Sequence, residues 1–538
     1  MSTSPVTPTL QDTSTSAPAS QSCTTTQPAR KGVRFWIILL SLLSGTFFSV
    51  LEAYAVSTAL PTIVSDLRSG QFVWVASAYA LASTALLPLS GGLAEAFGRR
   101  AVILGSLAVF ILGSALSGAA QSMNMLIAGR VVHGAGSGGI LTLSQIILSD
   151  LVTLQERGAY NGLFGLMWAL GGGVGPIVGG ALAHHTRWRW IFYLNVPAGG
   201  VIAGVLLLIL RSPRGSLSQK TFREAFERLD CIGNILVIGA SCSCAIALTW
   251  GGVQFPWQSP RVIVPLCVAA LGFGIWALYE WRFCAFPVIS LGAFINITLL
   301  YYLPVYYQAC KDASPTASGI DLFGLCFSTG PMSIITGISI GKTKAYRVQL
   351  WMGWCLVILG VGLMSMITED TDRAASIGFQ VVSGVGIGII YSATYFPVLA
   401  PLPISSTAFA LSFFVFVRTF AQIWGVTIGG ALLQNELSRR LPAAVKDSIP
   451  GIGNVAYAVI PLIPTMRQPE KDLSRKAFAE SLALVWRILI AIAGVGLLVS
   501  LLMRGLPLHT QRDENWAINP EEARMQEQEA DDAEKPQE

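Results

Sequence analysis

The sequence predicts an all-α membrane protein, and two properties lead there: too little charge for a water-facing surface, and a long series of apolar stretches. Only 12% of the 538 residues are charged and 53% are hydrophobic, with a mean hydropathy of +0.59. A soluble domain averages about 25% charged residues, so much of this chain's surface must face lipid. Fourteen stretches suit a membrane: 35–60, 72–94, 101–121, 125–149, 159–183, 190–210, 231–251, 262–280, 286–309, 319–341, 350–368, 375–400, 405–433 and 483–504. A membrane helix needs about 20 mostly apolar residues. Within hydrocarbon only helices or closed barrels pair every backbone N–H and C=O. Barrel strands would run about 10 residues and alternate, and these stretches do neither.

The flanking segments follow from composition. Residues 1–34 are rich in Ser, Thr, Pro and Gln and read as a disordered cytoplasmic tail, as does the acidic segment 506–538. With the N-terminus inside, the inside segments hold seventeen Lys and Arg and the short outside loops six, which orients both termini to the cytoplasm. The long segment 434–482 adds seven outside. Pro461 and Pro464 argue against a further span there. The stretch 286–309 contains Pro287 and Pro304 and reads as two joined helix pieces. Nine cysteines show no Cys-x-x-Cys, and Cys242 and Cys244 read as small apolar helix residues. Four scattered histidines make no metal or catalytic cluster, so the chain reads as no enzyme and calls for no metal and no cofactor. Nucleic acid is not an expected partner, and the chain is expected to be a monomer.

Four segments carry chemistry. Between the second and third stretches lies Gly91-Gly-Leu-Ala-Glu95-Ala-Phe-Gly98-Arg99-Arg100. Its glycines permit a tight turn and close helix approach, and its acid and arginines form a charge cluster where two helices meet the cytoplasm. In the fourth stretch Gly129-Arg130-Val-Val-His133-Gly134 sets an arginine inside an apolar helix. Such a charge costs about 2.5–3.5 kcal/mol on insertion scales, so Arg130 must face a polar cavity or a partner unless it snorkels from the helix end. His133 reads as structural, with titration as the alternative. In the fifth stretch, Gly171-Gly-Gly-Val-Gly175-Pro176-Ile-Val-Gly179-Gly180 combines a proline kink with backbone-close packing, a seam suited to rocking parts. The first stretch holds one acid, Glu52, in Leu51-Glu52-Ala-Tyr54. It is a candidate proton or cargo contact, unless its charge reaches the outer water.

These segments resemble the major facilitator superfamily, in its fourteen-span drug:proton antiporter branch of fungal-type multidrug and toxin exporters. Trp188-Arg-Trp-Ile-Phe192-Tyr-Leu-Asn195-Val-Pro197, Tyr302-Leu-Pro304-Val-Tyr-Tyr-Gln308 and Phe416-Val-Arg418-Thr-Phe-Ala-Gln422 extend the likeness, which covers residues 35–505. The resemblance implies two six-helix halves, 35–210 and 286–505, with two extra spans in a cytoplasmic linker at 211–285. It implies an inner latch of Gly91, Glu95, Gly98, Arg99 and Arg100, pairing across the halves. Proton coupling falls to Arg130 and Glu52, and the pattern at Gly171, Gly175, Pro176, Gly179 and Gly180 marks antiporters. Arg418 and Gln422 share one helix face and, with Tyr54, Trp168, Tyr302, Tyr306 and Phe416, are candidate cavity residues.

The implied function is proton-coupled export of a small organic molecule across the plasma membrane, with a vacuolar or vesicle membrane as the alternative. Drug, toxin, secondary metabolite and amphipathic glycolipid all stay open as cargo. An uptake carrier for a nutrient or iron chelate, and a transport-inactive sensor or scaffold, are the competing readings. Within the latch Ala96 replaces a common Arg. Three further departures from the family pattern stand out: Lys344 replaces a usual Gly in the second-half latch Gly341-Lys342-Thr-Lys344, the region after Pro287 is about 25 residues short of a full loop and helix, and residues 434–482 do not align with the pattern.

Overall fold

A computed structural model describes residues 31–67, 73–152, 154–184, 188–210, 231–251, 255–280, 287–400, 407–447, 459–503 and 505–506. Residues 1–30 of the expected tail 1–34, residues 507–538 of the tail 506–538, and residues 211–230, 252–254 and 281–285 of the linker 211–285 lie outside the described residues. Long helices cover all the expected stretches. The first six are α1 (Val33–Leu67), α2 (Val73–Phe97), α3 (Arg99–Gly118), α4 (Met123–Leu151), α5 (Leu154–His184) and α6 (Arg189–Ile209, broken at Leu194). Then come α7 (Cys231–Trp250) and α8 (Pro260–Glu280). The remainder are α9 (Pro287–Cys310), α10 (Phe323–Thr343), α11 (Tyr346–Met364), α12 (Arg373–Ala393), α13 (Thr407–Arg440) and α14 (Glu470–Leu501). Among the described residues, ten helices are long and apolar enough to cross a membrane; α2, α7, α8 and α9 are not among them.

One packing scheme occurs twice. In the first half α1 packs on α5, α2 and α3 on α4, and α3 on α6. In the second half α9 packs on α13, α10 and α11 on α12, and α11 on α14. The halves meet along α5–α10 and α2–α13, and the hairpin of α7 and α8 leans through α7 on that second seam. The outer surface is apolar: Leu208 is 83% exposed, Leu271 68% and Leu498 64%. The interior of α4, by contrast, buries Arg130, His133, Ser137, Thr142, Ser144 and Gln145. Apolar outside and polar inside is the arrangement that lipid as solvent favours.

The region after Pro287 corrects an expectation. It forms one continuous helix of 24 residues, α9, rather than two pieces. Pro287 opens the helix, where its missing N–H has no partner to lose, and Pro304 is held within a turn that neighbouring helices surround. Segment 434–482 is likewise corrected from a loop to mostly helix: α13 runs on to Arg440, a short helix spans Ala443–Asp447, and α14 starts at Glu470. Charge explains why apolar length alone missed these extensions. Arg440 bridges Glu436 on its own helix and Glu480 on α14, and Asp312 binds Lys471 at 3.0 Å and also Arg475.

The turns before α3 and before α11 both hold a residue with positive φ. Before α3 stands Gly98 with φ of 83°, a left-handed conformation that glycine adopts without a Cβ clash. Before α11 the corresponding turn carries Lys344, with φ of 56° and its N–H donating to the Ile340 carbonyl at 2.8 Å. A side chain there costs about 1–2 kcal/mol.

Candidate functional site

The two residues expected to couple protons meet. Glu52 rises from α1 and Arg130 from α4, both almost wholly enclosed, and Arg130 Nη1 donates to Glu52 Oε1. The guanidinium is also held by the Val75 carbonyl of α2 at 2.9 Å and lies over the Tyr79 ring at 4.2 Å. The Tyr79 hydroxyl in turn donates within the bundle, 3.0 Å from the Ser49 carbonyl and 2.7 Å from Ser137 Oγ. Glu52 therefore does not reach the outer water.

His133, read from the sequence as structural with titration as the alternative, belongs to the same cluster. Its Nδ1 lies 3.6 Å from Glu52 Oε2, and its ring packs 4.3 Å from Phe110. Neither imidazole nitrogen nor Glu52 Oε2 has a hydrogen-bond partner among the described residues. The signal was present in the sequence: His133 follows Arg130 by three residues, and i,i+3 residues share a helix face. Chemically, the pocket holds one carboxylate that either pairs with Arg130 or carries a proton. A proton placed on Glu52 would remove the charge that binds the guanidinium.

The glycines of α5 work on two faces. Gly171, Gly175 and Gly179 meet α1, and a Cβ at Gly175 would lie 2.7 Å from the Leu51 carbonyl and 2.9 Å from Tyr54 Cβ. Gly162, Gly165, Gly173 and Gly180 face the second half, at Ile334, Ser333, Cys326 and Thr316. Thr58 Oγ1 donates to the Pro176 carbonyl at 3.1 Å and ties α1 to the kink.

The residues expected to form a latch lie around the turn between α2 and α3. Arg99 donates to Asp150 of α4 at 3.2 Å and Arg100 to the Leu207 carbonyl at 2.6 Å, both within the first half. The side chain of Glu95 lies outside the described residues, and Gly91 is buried in the last turns of α2. Contact with the second half is made by Gly158, which meets the Gly337 carbonyl and the Phe396 ring, while Arg157 faces Tyr395. Asp150, Arg157, Tyr395 and Phe396 were not singled out from the sequence.

The candidate cavity residues divide. Arg418 of α13 lies over the Tyr391 ring of α12 at 3.6 Å and the Trp168 ring of α5 at 5.5 Å, so it stands where the halves meet. Tyr54 lies within electrostatic reach of Arg418, and its ring is 6.2 Å from that of Tyr301. Tyr302 and Tyr306 lie against neighbouring helices. Tyr302 donates to the Val426 carbonyl and fills the α9–α13 seam against Gly429. Tyr306 donates to the Thr368 carbonyl at 2.9 Å, in the turn between α11 and α12. Tyr301, one residue earlier on α9, faces Tyr54 instead. Gln422 is partly buried one turn beyond Arg418. Phe416 faces away, lining a small pocket with Leu81, Thr84, Ile238 and Ser241.

The profile of the Major Facilitator Superfamily matches residues 42–426. The chain belongs to that superfamily. Its relatives in the superfamily include the efflux pump FUS6 of Gibberella fujikuroi, 36% identical over 524 residues, covering 92% of this chain and 93% of that protein. Another is the MFS-type efflux pump LUC4 of Fusarium sp, 34% identical with 91% of each chain covered. The Acurin A biosynthesis cluster MFS-type transporter of Aspergillus aculeatus is 34% identical, covering 91% of this chain and 93% of its own. Among solved structures, the human organic anion transporter MFSD10 aligns with a TM-score of 0.58 over 87% of this chain and 100% of its own, at 13% identity. At that identity the likeness speaks for the fold. The facilitator fold agrees with the repeated packing scheme, and the chain is a multi-pass membrane protein.

Proposed function

We propose that this chain is a proton-coupled antiporter that exports a small organic molecule, a secondary metabolite before other candidates, across the plasma membrane. The observation that carries the reading is the buried Glu52–Arg130 pair beside His133. A buried ion pair is weak evidence of stabilisation, since apolar residues of similar volume often do as well. An acid whose protonation frees an arginine is instead a means of linking proton uptake to a change of shape. In this reading Glu52 takes the proton, Arg130 holds the alternative partner, and the α5 glycines let the halves rock around a midplane site. The contacts at Gly158, Phe396 and Arg157 close the inner end. Efflux-pump names among the relatives support the outward direction, and the biosynthesis-cluster relative supports a metabolite cargo. We read α2, α7, α8 and α9 as spans as well, because each is packed into the bundle or its hairpin; that makes fourteen and leaves both termini cytoplasmic.

The test begins with cells lacking the protein, whose retained metabolites are identified by mass spectrometry. The molecule so found is then loaded into proteoliposomes with an imposed pH gradient. Gradient-driven flux by the wild type and its loss in Arg130→Ala are expected. Flux that ignores the gradient, or an Arg130→Ala protein that couples normally, would refute proton coupling.

A further inference from the structure

Among the described residues no acid pairs with the cation Arg418. It lies about three helical turns into α13, between a ring of each half, Trp168 and Tyr391. The guanidinium lies with its carbon over both rings, nearer to Tyr391. Its five N–H donors point along its edges, and among the described residues they make no hydrogen bond and no ion pair. The Tyr391 hydroxyl, also buried, has no hydrogen-bond partner there either. The cluster is thus rich in donors, and what acceptors it has are neutral phenol oxygens rather than a carboxylate.

The charge inventory makes the same point. Among described side chains, Glu52 is the one acid deep within the helices, and it is committed to Arg130. The other described acids sit in terminal turns or loops, or beside Arg440 at one end of the bundle, as Glu436 and Glu480 do. Midway along the helices, the described side chains therefore include two arginines, Arg130 and Arg418, and one carboxylate, while the buried Arg99 and Arg157 sit in first turns. An uncompensated charge in such surroundings is costly, and a neutral cargo would leave it so.

We propose that the transported molecule is an organic acid, an aromatic or amphipathic carboxylate whose oxygens seat on the edge of Arg418. A carboxylate matches the guanidinium fork in two parallel N–H···O bonds. The aromatic walls of Trp168, Tyr391 and Tyr54 suit a flat apolar body. This rests on the reading of the chain as an exporter, but binding tests it without transport.

The full chain is purified in a neutral maltoside detergent, and binding of radiolabelled 2-naphthoate is measured. 2-Naphthamide and 2-naphthyltrimethylammonium compete as neutral and cationic counterparts. Naphthoate is expected to bind the wild type and to resist displacement by either. Arg418→Gln is expected to weaken binding at least tenfold, Arg418→Lys less, and Tyr391→Phe a few-fold, the last two serving should Arg418→Gln not stay folded. No naphthoate binding to the wild type, equal binding of the amide or the ammonium, or unchanged affinity in the Arg418 variants overturns the proposal. Naphthoate binding without gradient-driven flux of any cargo would leave the carboxylate site at Arg418 standing and remove the exporter reading. The reverse result would do the opposite.

Discussion

The two halves share one packing scheme and handle charge in opposite ways. The first half places Arg130 in the interior together with its own carboxylate, Glu52, and a glycine in its left-handed latch turn. The second half places Arg418 in the interior with aromatic faces and no acid, and a lysine in the equivalent turn. A repeated architecture therefore fixes where helices lie but not which charges are satisfied. The satisfied half is built to hold its charge, and the other presents one.

The largest expected difference is in stability. Glu52→Ala strands Arg130 without its partner and should cost about 3–5 kcal/mol, read as a lowered unfolding midpoint in detergent. Adding Arg130→Met should recover most of the loss. Arg418→Met breaks no ion pair and should change stability by less than about 1 kcal/mol, the scale of an ordinary cation–π contact. Equal losses in the two single variants would erase the contrast between the halves.

Gly175 touches both regions, since it packs against Leu51, next to Glu52, and against Tyr54, near Arg418. Gly175→Val should overpack the α1–α5 seam by about 3 kcal/mol and lower the yield of folded protein. A variant that folds as well as the wild type would mean that α1 and α5 do not need their close approach.

The turns supply a reciprocal test. Lys344→Gly should stabilise by about 1 kcal/mol and Gly98→Lys should destabilise by at least that much. Thermal melts of the two variants that shift in the same direction would contradict the backbone assignment.

The smallest effect concerns Asp66, in the last turn of α1 beyond its apolar stretch. The Trp188 indole donates to its carboxylate at 2.9 Å and Arg189 pairs with it at 3.0 Å, and the two hold its pKa below the usual carboxylate range. A lowered folded-state pKa adds stability that is present above about pH 4 and fades as the pH falls below that. Asp66→Asn should thus differ slightly from the wild type at pH 7 and converge with it near pH 3. A gap that persists at pH 3 would assign the effect to packing.

Much of this was legible in the sequence because lipid leaves few choices. An apolar run of span length must be a helix, so every expected stretch carries one. Arg130 and Glu52 stood out for being charges where charge is costly. Their mutual contact was not legible, since 78 residues separate them and only the fold brings α1 to α4. The facing of α9 was not legible for a similar reason. Tyr301, Tyr302 and Tyr306 are all aromatic, and only helical phase decides that Tyr301 meets Tyr54 while Tyr302 fills a seam. The extensions of α13 and α14 were hidden by their charges, which interhelical pairs satisfy outside the apolar zone. Lys344 was visible as a departure from a usual glycine, and the structure adds that the backbone there still adopts the glycine conformation.

The helix α5 has bare backbone on two opposite sides, one against α1 and one against the second half. Except at Gly173, where a Cβ would find ordinary contact at 3.5 Å, a side chain larger than hydrogen at those positions would press on either neighbour, so the rod has little freedom to drift in sequence along its length. Changes in what the protein carries must then arise on other helices, around Arg418 and Tyr54, while α5 stays a fixed axle about which differently lined chambers are assembled.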